Sequence, residues 1–180
     1  MRGYQRTYWY DETGLPWVNP SPNLRSLTQA IFYPGVAMVE ASNVSVGRGT
    51  DTPFELLGAP WVDASQLAEY LNRRKIDGVR FKQVNFTPER IPFKNQVCQG
   101  VQIILADRQA LDPTALGIEI ASALYHLYPN DFQIDKTLSL IGSRQVLHAI
   151  KEGQEPRSIV LCWQESLQDF QKVRSNYLLY

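Results

Sequence analysis

The stretch DASQLAEYLNRRKIDGVRFKQVNFTPERIPFKNQVCQGVQIILA, residues 63–106, decides the fold class. Asp63 stands three residues before Gln66 with capping-box spacing, and Val62 and Leu67 are placed as a hydrophobic staple, so a helix is predicted from Asp63 to Arg74. Gly78 to Phe86 then alternates, with Val79 and Phe81 followed by Val84 and Phe86 and basic or polar residues between. That pattern predicts a strand with an irregularity near Gln83. Val97 to Ala106 is the longest strand candidate in the chain.

Upstream, the aromatic-rich Tyr4 to Tyr10 reads as a strand ended by the turn Asp11-Glu12-Thr13-Gly14. Three prolines in Pro16–Pro22 make the next segment an ordered or functional loop. Leu24, Leu27 and Ile31 share a helical face, Ser26 and Gln29 have capping spacing, and Tyr33-Pro34-Gly35 is expected to stop the helix. Val36-Ala37-Met38-Val39 reads as a short buried strand, central to the sheet, with Glu40 at its C-terminal end. Phe54–Gly58 is a further short strand. Downstream, Asp112-Pro113 caps a helix that ends at Tyr128-Pro129, and two more helices are predicted, Ser143–Gly153 and Arg157–Arg174. The apolar tail Tyr177–Tyr180 is expected to pack on the body. This order gives an α+β fold, a mixed sheet with flanking helices, and 180 residues suit a single domain spanning 1–180.

Composition narrows the function classes. With 18 Lys+Arg against 18 Asp+Glu the net charge is zero, which disfavours a general nucleic-acid binder. The charge is uneven, however: residues 73–94 carry seven basic and two acidic groups, a local +5 that either attracts an anionic ligand or combines a helix C-terminus with a strand's polar face. No apolar run approaches the roughly 18 residues a membrane span needs, so no membrane partner is expected. Met1–Tyr10 lacks the apolar core of an export signal, and a cytoplasmic chain is expected as written, with a periplasmic or extracellular site if an N-terminal half precedes it. Cys98 and Cys162 are too few for a disulfide framework or zinc site and are read as buried free thiols. His126 and His148 fall in amphipathic helices, and no metal ligand set or cofactor motif is found.

What remains is a carboxylate and a loop. Ala41–Pro53 has no apolar period, and two glycines bracket Arg48. Glu40 at the mouth of this loop is read either as a reactive group or as the ion-pair partner of a nearby arginine. Asn43, Ser45, Arg48 and Thr50 offer donors and a bidentate fork suited to a carboxylate or to sugar hydroxyls.

DETGLPWVNPSPN (11–23), Tyr33-Pro34-Gly35, EASNVSVGRGT (40–50), PFELLGAPW (53–61), Cys98-Gln99-Gly100-Val101, Ala106-Asp107-Arg108 and RSNYLLY (174–180) together resemble successive signatures of the NamZ-like family, formerly DUF1343. The resemblance implies an exo-β-N-acetylmuramidase, a glycoside hydrolase releasing N-acetylmuramic acid from non-reducing ends of peptidoglycan fragments. It also implies a barrel-like C-terminal domain, with a Rossmann-like N-terminal domain absent here and the active-site cleft between the two. The family's PEHG-type acidic motif has no counterpart in this chain. Carried over by position, Glu40, Asn43, Arg48, Thr50 and Glu55 line or support the cleft; Glu40 is the catalytic candidate, and Ser45 joins the substrate-binding candidates from its place in the loop. Val46 stands where many members carry a second acid. The expected partners are muramyl sugars and a separately encoded Rossmann-like domain, without which the chain is expected to be inactive. The alternatives are a non-catalytic peptidoglycan-binding module and a degenerate fragment.

Overall fold

The computed structural model of the chain describes residues 3–179. Three strands, β1 (Leu56–Ala59), β2 (Val79–Phe86) and β3 (Cys98–Leu105), form an antiparallel sheet in the order β1-β3-β2. Around it lie α1 (Leu27–Val36), α2 (Ala64–Arg73), α3 (Pro113–Leu127), α4 (Leu138–Ile141), α5 (Arg144–Lys151), α6 (Pro156–Leu161) and α7 (Gln164–Ser175). The α+β class with helices flanking a sheet is what the chain adopts.

Local signals start the helices where they were read. The Asp63 carboxylate accepts the Gln66 N–H at 2.9 Å, a cap worth about 1 kcal/mol, and Leu67, Ala68 and Leu71 on the following face are buried. At the other end of α2 the Asn72 side chain donates to the Phe81 carbonyl at 2.8 Å and accepts from the Phe81 N–H at 3.1 Å. Those two bonds occupy backbone groups of β2, which is an edge strand.

The sheet is covered differently along its length, and this positions the site. Residues Val79 and Phe81 of β2 face the main core with Leu57, Val101 and Ile103, whereas Phe86 and the half-buried Val84 turn to the opposite face with Leu56 and Cys98. The β2–β3 ladder is unbroken from Val79–Leu105 to Phe86–Cys98. The expected irregularity near Gln83 is therefore absent from the backbone. The change of phase in the sequence records a change of covered face.

Two expected strands are not strands. Val36–Val39 continues α1 through Pro34 into a 3-10 turn, Ala37–Val39. Val36 and Val39, three apart, are both fully buried, so a short apolar run here is a helix face that cannot be told from a strand by length alone. Gly35 makes that path necessary: a Cβ there would lie 1.9 Å from the Pro113 carbonyl oxygen of α3, so α1 and α3 touch backbone to backbone. Tyr4–Tyr10 contains turns and leads into a 3-10 turn, Tyr10–Thr13, and pairs with none of the described strands. Its Tyr10 ring meets Trp17 edge to face at 5.2 Å, and Arg108 ties the segment down over Trp9 with an ion pair to Asp11 at 2.7 Å. The predicted Arg157–Arg174 helix is broken at Cys162–Trp163 into α6 and α7. Cys162 is exposed, not buried, while Cys98 is buried as expected. The tail does not pack: Tyr177 and Leu179 are 79% and 94% exposed, and Tyr180 lies outside the described residues.

Candidate functional site

Residues 40–55 join the 3-10 turn to β1, and each part of this loop is anchored before it reaches the surface. Val44 and Val46 are buried in the core. Ser45 exchanges both backbone hydrogen bonds with Gly58, at 2.8 and 3.0 Å, and its hydroxyl accepts the Gly47 N–H at 3.3 Å. The Asn43 amide donates to the Asp131 carbonyl at 2.8 Å and accepts from the Gln133 N–H at 2.9 Å, which pins the loop to the segment after α3. Glu55 accepts from the buried Gln29 side chain at 3.2 Å, linking the loop's end to α1.

Between these anchors the chain turns outward. Thr50 closes a tight turn onto the Gly47 carbonyl through its N–H at 3.1 Å and its hydroxyl at 2.7 Å. Gly49, at φ +81°, lies so close to the 87–95 loop that the Glu89 N–H donates to its carbonyl at 3.0 Å. Arg48 stands at the apex. Its guanidinium forms an ion pair with Glu40, donating to Oε2 at 3.1 Å, and its Cζ lies 5.3 Å from the centroid of the buried Phe54 ring. A carboxylate behind and an aromatic ring beside fix the fork, while about a third of the side chain stays exposed.

The exposed part of Arg48 opens into a cleft of about 810 Å³. Thr50, Asp51, Glu89 and Arg90 contribute polar groups to its wall, Arg25 enters from the segment before α1, and Leu56 and Phe86 form an apolar floor. These floor residues are the ones that β1 and β2 turn to the second face of the sheet. Arg25 is held by a hydrogen bond from its Nε to the Pro22 carbonyl at 2.9 Å, with Asp51 at 3.8 Å. The cleft therefore presents three guanidinium groups and two carboxylates over an apolar base.

Of the residues read from the sequence, Arg48 and Thr50 line the cleft, and Glu40 reaches it through Arg48. Asn43, Ser45 and Glu55 brace the loop from behind. Val46 belongs to the core and not to the cleft wall. Arg25, Asp51, Glu89 and Arg90 were missed. Only Arg90 had a signal, the basic segment, whose other prominent member is spent elsewhere: Arg74 bonds Glu119 at 2.8 and 3.0 Å and pairs with Glu155, contacts that push its pKa up. Among the described residues no group of three metal-ligating side chains converges, and no helix is long and apolar enough to cross a membrane.

Fold and site define an α+β domain that offers an arginine-tipped, glycine-flanked loop to an open polar cleft. Comparison with known proteins gives that description a lineage. The family described as "Exo-beta-N-acetylmuramidase NamZ, C-terminal" matches residues 31–180, and the chain belongs to it. The peptidoglycan β-N-acetylmuramidase NamZ of Bacillus subtilis (strain 168) is 35% identical over 183 residues, covering 100% of this chain and 44% of that protein. A crystal structure of a DUF1343 family protein from Bacteroides fragilis NCTC 9343 superposes with a TM-score of 0.88 at 27% identity, covering 99% of this chain and 49% of the other. A second DUF1343 protein of that strain gives a TM-score of 0.61 at 25% identity, over 90% of this chain and 43% of its own. The chain thus spans less than half the length of the relatives it matches.

Proposed function

We propose that this domain forms the muramyl-reading wall of an exo-β-N-acetylmuramidase site acting on peptidoglycan fragments. The observation that carries this reading is Arg48, exposed to the cleft yet held by Glu40, Phe54 and two flanking glycines. A fixed guanidinium pairs bidentately with a carboxylate. The lactyl carboxylate is what separates N-acetylmuramic acid from N-acetylglucosamine, so a preformed fork converts that one difference into selectivity. Thr50, Asp51 and Glu89 supply hydroxyl partners, and the Leu56–Phe86 floor suits the apolar face of a sugar ring. Of the two readings of Glu40, a reactive group and the ion-pair partner of an arginine, its engagement with Arg48 supports the second: Glu40 is a positioning residue that acts through the arginine. Glycoside hydrolysis needs two carboxyl groups, or one with help from the acetamido group. In this reading the catalytic carboxyl chemistry comes from the part of the longer relatives that this chain does not match.

The test uses this chain alone and a chimaera in which it replaces the matching part of the Bacillus subtilis protein. The chain alone is expected not to release N-acetylmuramic acid from a chromogenic muramide, and the chimaera to release it. In the chimaera Arg48→Ala is expected to lose about tenfold or more of the preference for muramic acid over N-acetylglucosamine, the worth of a charge-assisted pair. Glu40→Gln should raise KM with a smaller change in kcat. An unchanged preference in Arg48→Ala defeats the arginine's role, and ligand binding without turnover in the chimaera favours a sugar-binding module.

A further inference from the structure

The last helix, α7, has no buried residue and makes only marginal contact with any other helix or strand. It is nevertheless amphipathic. At roughly 3.6 residues per turn, Leu167, Phe170 and Val173 fall within an arc of about 120°, while Trp163 at the N-cap packs back against the main core. Leu167, Phe170 and Val173 are 40%, 60% and 57% exposed, and Tyr177 and Leu179 carry the exposed apolar surface beyond the helix end. Glu165 and Lys172 occupy the opposite side, Asp169 flanks Val173, and Arg174 falls within the stripe's arc. An apolar helical stripe is stable against water only when another element covers it. Here none of the described elements does.

The longer relatives offer an occupant for the stripe. The Bacteroides fragilis protein superposes on 99% of this chain at a TM-score of 0.88, so its backbone follows this fold over nearly the full length, yet this fold accounts for only 49% of that protein. The same holds for the Bacillus subtilis relative, of which 44% is matched. The fold that carries the bare helix therefore recurs in longer chains whose other half is available to cover it. We propose that the apolar face of α7 docks the further domain that the longer family members carry, the three anchors Leu167, Phe170 and Val173 entering an apolar groove on it as i, i+3 and i+6 side chains. This deepens the two-part reading of the active site but does not depend on the chemistry of the cleft. A cleft with another substrate would leave the docking intact, and a failed docking would leave the Arg48 selectivity measurable.

Hydrogen exchange on the chimaera and on the isolated chain tests this. The amides of residues 164–175 are expected to exchange at least about tenfold more slowly in the chimaera, and Phe170→Glu with Val173→Glu to restore the fast rate there. The same double substitution should leave the melting temperature of the isolated chain unchanged, since neither side chain is buried in it. Equal exchange of α7 in a folded chimaera and in the isolated chain overturns the proposal, as does a stripe that stays protected after the double substitution. Should the chimaera not fold, maleimide labelling decides. A cysteine placed at the position aligned with Phe170 in the intact Bacillus subtilis protein is expected to label at least about tenfold more slowly than Phe170→Cys in this chain, in a Cys162→Ser background. Equal labelling overturns the docking.

Discussion

Gly49→Ala tests whether the Arg48 loop is built by close backbone approach. Gly49 has φ +81°, and a Cβ there would lie 2.7 Å from the Arg90 backbone nitrogen and 2.8 Å from that of Glu89. Holding alanine in the left-handed region costs about 1–2 kcal/mol. The 89–90 backbone must also retreat by several tenths of an ångström, which strains or breaks the 3.0 Å bond from the Glu89 N–H to the Gly49 carbonyl, worth about 1 kcal/mol. The sum, about 2–3 kcal/mol, corresponds to a fall in Tm of about 5–10 °C for a domain of this size. The matched control is Gly142→Ala, where φ is +73° and nothing lies within 4 Å of the added Cβ. It carries the conformational cost without the clash, and its Tm should fall about half as far. Thermal unfolding followed by circular dichroism measures both. Equal shifts for the two variants refute the steric argument, and a Gly49→Ala protein within about 1 °C of the parent refutes the conformational one too.

Three further outcomes follow from other parts of the fold. Gly117→Ala gains about 1 kcal/mol of helix propensity but puts a Cβ 2.6 Å from the Gly35 carbonyl oxygen, so a net loss of about 1–2 kcal/mol is expected; a raised urea midpoint contradicts the backbone contact between α1 and α3. Arg74 holds the Glu155 carboxyl below its ordinary range by hydrogen bonding, so the native state binds fewer protons there than the unfolded chain. That stabilisation is present above the unfolded carboxylate pKa and is lost as pH falls through the folded one. Because half of the Glu155 side chain is exposed, the effect is small, and the stability gap between the parent and Glu155→Gln should close on going from pH 7 to pH 3; a gap that widens on acidification reverses the sign. Cys98 is buried, and desolvation pushes its thiol up to about 11, whereas Cys162 is exposed. At pH 8 a thiol reagent should modify one cysteine rapidly and the other only on unfolding, and two fast thiols would contradict the burial of Cys98.

Much of the scaffold is legible locally. Asp63, Asp112, Ser143 and Ser26 each cap a helix from within its own first turn, and such contacts need no partner from elsewhere in the chain. The strands Val79–Phe86 and Cys98–Leu105 announce themselves by period and composition. The errors fall where the deciding partner is distant. Tyr4–Tyr10 has the residues of a strand but pairs with none of the described strands, and Val36–Val39 has the apolar run of a strand but follows the stretch of α1 that lies against the backbone of α3.

The candidate site divides along the same line. Sequence by itself determined the family, the α+β class and a glycine-flanked Arg48 beside Glu40, because helix caps, strand periods and loop glycines act over a few residues. Only the tertiary structure decided that Glu40 grips Arg48, that Arg25 and Arg90 face the same cleft, and that Val84 and Phe86, in the regular alternation of β2, cover a second face of the sheet. The cleft and the second face join residues tens of positions apart through the register of β1, β2 and β3, whereas the Glu40–Arg48 pair, eight residues apart, is set by the path of the loop between them. Register is set by burying both faces of the sheet at once, which no local window of sequence contains.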